Sequence, residues 1–203
     1  MQETSLSLLA RLRQSADTES WNRLVALYAP LLRAWARRYD VQESDADDLV
    51  QEVLMVVATD LKSFDHSGQP GAFRSWLRMI LVNRLRNFWR ARGRRPQARG
   101  DSDIERRLGE LADPVSQLSQ MWNREHDQYV ARHLLARVEP HFEAKTWRAF
   151  CRVALEGASA DAVAKELDIS LNAVFIAKSR VLRRLRQESA GLVASPSSFF
   201  AKS

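Results

Sequence analysis

Little in this chain could supply a cross-link, a membrane span or a repetitive frame. Cys151 is the only cysteine among 203 residues, so no intramolecular disulfide can form, which fits a reducing cytosol. Seven glycines and six prolines are too few for a fibrous or low-complexity composition. No apolar run approaches the roughly 18 residues that cross a bilayer. The opening MQETSLSLLARLRQ lacks a basic segment followed by an apolar one, so neither secretion nor membrane insertion is expected, and the cytoplasm is. Histidine is scarce as well. His126, His133 and His141 lie seven and eight residues apart, which spreads them over different helix faces and makes a poor metal site. The phosphate-loop, dinucleotide and zinc-protease patterns are missing, and so is any paired C-x-x-C. The expectation is a protein that is not an enzyme, with no catalytic residue, metal or cofactor.

What is present describes a folded chain: 45% hydrophobic, 28% charged, with a net charge of +6 and a pI near 10.0. That balance favours an anionic partner without choosing among nucleic acid, acidic protein and lipid. Apolar residues recur every three or four positions almost throughout, and no strand pattern appears. Trp21, Leu24, Val25, Tyr28, Leu31, Leu32, Trp35 and Tyr39 form one such stripe, which Pro30 should kink or divide. A second helix is expected over 46–61 with Ser44 or Asp45 as its cap, and a third from Arg74 to Gly93 after the breakers Gly68, Pro70 and Gly71. Residues 96–113 turn polar and read as a flexible linker. Asp113-Pro114 should open the next helix, running to about Val138. Helices over 144–156, 160–167 and 171–187 follow, and 188–203 should be a disordered tail. The fold class is all-α in two parts, 1–95 and 114–187.

Three segments carry chemistry. RSWLRMILVNRLRNFWRARGRRP (74–96) holds eight arginines among aromatics and two asparagines, with no acid. Asn83, Asn87 and Arg90 fall on one helix face, where amides can reach base edges. Arg86, Arg90, Arg92, Arg94 and Arg95 can hold phosphates, although a merely solvated basic face would also fit. DADDLVQEVLMVVATD (45–60) is its electrostatic opposite. Asp45, Asp48 and Glu52 share a face near the helix start, where the macrodipole favours acids. Leu49, Val53, Val56 and Val57 can point inward. Val50, Leu54 and Met55 add apolar side chains outside that stripe, as a surface for a basic protein partner would. Paired carboxylates alone could also serve a metal or acid-base chemistry, but no further ligand is spaced to join them. Finally, SADAVAKELDISLNAVFIAKSRVLRRLR has helix-turn-helix spacing, shared with an ordinary αα-corner. Ala164 allows close approach, Leu167, Ile169 and Val174 supply a core, and Ser170 caps the second helix. Asp168 stands at the turn position that usually takes glycine, and aspartate tolerates left-handed backbone better than most residues.

In this order and at these separations the segments resemble the extracytoplasmic-function group of bacterial RNA polymerase sigma factors, two-domain members of the sigma-70 family. DADDLVQEV, the F-x-x-W-L-x-x-I-x-x-N-x-x-x-N-F frame from Phe73 to Phe88 and the C-terminal KSRVLRRLR carry the likeness. It implies promoter-specific transcription initiation with core RNA polymerase and promoter DNA as partners, and it is compatible with an anti-sigma factor. By resemblance, Asp45, Asp48, Leu49, Glu52 and Met55 would dock on the clamp of the polymerase largest subunit. Phe64 and Asp65, in the loop of 62–72, would capture a flipped −10 base, and Asn83, Arg86, Asn87, Arg90, Arg94 and Arg95 would melt and hold that element. The helix-turn-helix would read the −35 element and touch the polymerase flap. Asn172, Phe175 and Ser179 are its base-side candidates, Lys178, Arg180 and Arg183 its phosphate-side ones, and the capping Ser170 is counted among its −35 contacts. Lys178-Ser179-Arg180 comes three residues later than in most of the family, nearly one helical turn.

Overall fold

The computed structural model describes residues 8–14, 18–64, 69, 71–93, 101–190 and 192, and among them no strand occurs. Among the described residues, four helices form the N-terminal part: α1 (Leu8–Gln14), α2 (Thr18–Arg37), α3 (Glu43–Asp60) and α4 (Ala72–Gly93). Tyr28, Leu31, Leu32 and Trp35 of α2 meet Val53 and Val57 of α3 and Leu77, Leu81 and Leu85 of α4 in a dry core. Pro30 does not divide α2, which runs unbroken across it. Burial of the stripe on both sides of the proline outweighs the one hydrogen bond that its missing N–H removes. The start of α3 also differs from expectation. Its cap is Gln42, in extended backbone and without a side-chain bond, and Ser44 and Asp45 already lie inside the helix.

The larger correction concerns 96–113, expected as a flexible linker. From Asp101 it forms α5 (Asp101–Ala112), packed against α4 and against α6 (Gln117–Val138). Ile104, Leu108 and Leu111 are buried there. Their spacing of four and three is a complete, if narrow, stripe, and a 12-residue helix needs no more to dock. Helix α6 is capped by Ser116, whose hydroxyl accepts the Ser119 N–H at 3.0 Å, three residues later than the expected cap at Asp113. Asp113 instead accepts the Val115 N–H at 3.0 Å.

After a short 3-10 turn come α7 (Ala144–Phe150), a π-turn over Cys151–Leu155, and then α8 (Ala160–Leu167) and α9 (Leu171–Ser189). The chain leaves the π-turn at Gly157, whose φ of 75° is left-handed. Glu188 and Ser189 belong to α9 and Leu192 is buried in the main core, so the expected tail begins too early. That core is continuous from Leu8 to Leu192, because α6 packs onto α2 and α4 on one side and onto α9 on the other. Trp122 of α6 meets Trp35 edge-on at 5.1 Å.

Candidate nucleic-acid interface

Helices α3 and α4 lie side by side, and their opposite charges meet across the seam. Arg92 pairs with Asp45, and Arg84 approaches Glu52 at 3.8 Å. Between them runs a groove of about 380 Å³ lined by the apolar Leu49, Phe88 and Ala91 and the polar Asp45, Asp48, Glu52, Asn87 and Arg92. Two segments that read separately as binding surfaces are therefore partners of each other. Asp48 has no ion-pair partner among the described residues. With Glu52 and Met55 it forms an exposed row at i, i+4 and i+7, and Met55 is 66% exposed. Leu49, expected at a partner surface, is 3% exposed and belongs to the core, as do Val50 and Leu54. Helix α3 is covered on two sides, by α2 and α4, which widens its buried stripe beyond that of a helix with one neighbour.

On α4, Asn83, Asn87 and Arg90 are exposed along one face, as their spacing requires. The arginines divide. Arg74 and Arg78 turn inward. Arg74 pairs with Asp127 of α6, and its carbonyl accepts the Trp122 Nε1–H at 3.2 Å. Arg78 is 3% exposed, and burial, with Arg74 close by, lowers its pKa. Arg86 is held at 3.2 Å by Glu105 of α5. Arg90 alone of the described candidates on this face carries its charge without an ion pair among the described residues. Phe64 stacks on Trp76 with centroids 4.6 Å apart and meets Phe73 edge-on at 6.0 Å, so aromatic packing fixes the loop where it leaves α3. Asp65, Arg94 and Arg95 lie outside the described residues.

Helix α6 brings in a group that sequence reasoning missed. His126 is fully buried, with its Nε2 3.2 Å from the Tyr28 hydroxyl and its Nδ1 3.0 Å from Asp127. Burial lowers its pKa, while Asp127 partly opposes the shift. Glu105 was missed too. Its only signal in the sequence was the apolar spacing around it, which three residues in a polar stretch made easy to pass over.

The helix-turn-helix is built as its spacing suggested. Asp168 takes the left-handed conformation (φ 51°, ψ 59°), and the Ser159 and Ser170 hydroxyls cap α8 and α9. Its own small core is Ala149, Val163, Val174 and Ala177, with Leu167 and Ile169 only half-buried around it. Ser170 spends its hydroxyl on the Ala173 N–H at 3.1 Å. Asn172, Phe175, Ser179, Arg180 and Arg183 are exposed, and Lys178 is half-buried.

A family model for sigma-70 region 2 matches residues 24–95, the stretch from α2 through α4 that contains the acidic row and the amide face. The chain is also 30% identical over 174 residues to the ECF RNA polymerase sigma-E factor of Escherichia coli (strain K12), covering 84% of this chain and 85% of that protein. It belongs to the extracytoplasmic-function group of sigma-70 factors. The sigma-E factor of Salmonella typhimurium (strain LT2) matches to the same extent. The RNA polymerase sigma factor NccH of Alcaligenes xylosoxydans xylosoxydans is 35% identical over 97 residues, 48% of this chain and 50% of that one. The sigma-E likeness runs well beyond the region 2 model, and no described helix is long and apolar enough to cross a membrane.

Proposed function

We propose that this sigma factor docks on the polymerase clamp through the exposed row of Asp48, Glu52 and Met55, and engages the −10 element through Asn83, Asn87 and Arg90. In the same reading Phe64 and Asp65 border the pocket for a flipped base, and Arg94 and Arg95 add phosphate contacts. Helices α8 and α9 then read the −35 element. The observation that supports this most is the division of adjacent helices inside the region 2 match: a free acid beside an exposed methionine on α3, and a free amide row on α4. Melting needs both surfaces at once. Opening duplex costs about 1.4 kcal/mol per stacked step, and stacking a freed base on an aromatic returns about 1–3 kcal/mol. One helix cannot open several pairs alone, so DNA contacts must act with polymerase contacts. The full chain with core polymerase should protect a two-part promoter of fixed spacing and start transcription there, and shifting that spacing by half a helical turn should abolish the start. Footprinting with and without core tests it. A sharp, sequence-specific footprint by the chain alone would mark a stand-alone regulator and overturn the proposal.

A further inference from the structure

Folded proteins leave few large apolar side chains in water, and clusters of them rimmed by polar groups mark contact surfaces. Among the described residues, Leu171 (40%), Phe175 (52%) and Ile176 (49%) are exposed together on the first six residues of α9. None of the three serves the local core, because Val174 and Ala177 occupy the inward face. Asn172 shares the exposed side with them. One turn further on, that side changes character and carries Ser179, Arg180 and Arg183. No acidic residue occurs from Leu171 to Arg186. The surface is therefore mainly apolar at the helix start and, beyond it, cationic with no acid.

A protein partner for such a surface would need an apolar patch ringed by acids. Duplex DNA offers the same combination in a defined geometry. A recognition helix meets base edges with its N-terminal residues, while flanking cations reach phosphates. The major groove displays one apolar group, the C5-methyl of thymine. We propose that Leu171, Phe175 and Ile176 form an apolar surface that reads thymine methyls in the upstream half-site, with Asn172 beside them for an adjacent base edge. The inference rests on the assignment of α8 and α9 as the upstream DNA reader, and it adds which chemical group on the bases is read.

The test is made on the DNA, so the protein needs no change. Full-length chain with core polymerase is used to select duplexes from a pool randomised across the upstream segment. The selected duplex is then made again with deoxyuridine for each upstream thymine, which removes the methyl and leaves every hydrogen-bonding edge intact. Selection should enrich thymine on one strand or the other. Removing each methyl that the helix touches should weaken holoenzyme binding about fourfold, the worth of one buried methylene-sized group. Phe175→Ala should weaken binding to the thymine duplex and erase the difference between thymine and uracil, with core affinity unchanged. Equal binding of both duplexes by the unaltered holoenzyme would overturn the inference while leaving promoter selection in place. Loss of core affinity in Phe175→Ala, with no uracil effect, would identify the face as a polymerase dock instead. If core and chain together select no duplex, the sigma reading fails with it.

Discussion

Asp48 and Asn83 stand 35 positions apart in the chain, yet each is an exposed polar side chain on one of two adjoining helices. Their roles separate experimentally. Reversing charge at Asp48 and Glu52 (both to lysine) should lower pull-down of core polymerase at least tenfold. The circular dichroism should stay unchanged, since the exposed Arg84–Glu52 ion pair that the change removes is worth about 1 kcal/mol at most. Undiminished pull-down would remove the docking assignment. Asn83→Ala should slow open-complex formation more than closed-complex binding, read by permanganate reactivity in the −10 element; equal losses would make Asn83 structural. His126 acts at a different level. Its folded pKa lies below the ordinary 6.5, so the unfolded chain takes up that proton first. Stability should be insensitive to this group above about pH 7 and decline as pH falls through 6.5, until the folded pKa is reached. Urea midpoints measured against pH should show that decline, and His126→Gln should flatten it. Neither the buried histidine nor its bonds to Tyr28 and Asp127 could be read from the sequence, because the arrangement belongs to a packing of α6 on α2 that no local pattern encodes.

At the scale of elements, legibility followed the width of the apolar stripe. Helices α2, α4, α8 and α9 were evident from their period, and the helix-turn-helix was evident down to its left-handed aspartate. Helix α5 was not. Its three buried side chains sit in a stretch whose glycine and acids resemble a tether, and only docking against α4 and α6 makes the stripe sufficient. The boundaries of α3 and α6 slipped because the first good capping residue met along the chain is not always the one the helix uses. The electrostatic opposition of α3 and α4 was legible, but which residues pair, Arg92 with Asp45 and Arg84 with Glu52, was a tertiary fact. Leu108→Ala decides whether α5 is integral to the fold. Truncating a fully buried leucine should cost about 2–5 kcal/mol, seen as a lower urea midpoint with an unchanged slope, whereas in a free tether it would cost nothing measurable.

For the whole molecule, the continuous core means that the region 2 helices and the helix-turn-helix are held together through α6, which packs on α2 and α4 and on α9. The edge-on pair of Trp35 and Trp122 lies at that junction, one indole from each part, both out of water. The Trp122 N–H is engaged by the Arg74 carbonyl, while the Trp35 N–H has no hydrogen-bond partner among the described residues. The pair is thus an optical and magnetic gauge of that junction. With fluorotryptophan placed in this chain alone, each ring current shifts the other's fluorine resonance, and assignment needs only Trp35→Phe and Trp122→Phe. If docking on core polymerase draws α6 away from α2, both resonances should move together toward solvent-exposed values as core is titrated in. A holoenzyme in which neither resonance moves would carry the two parts as one rigid block.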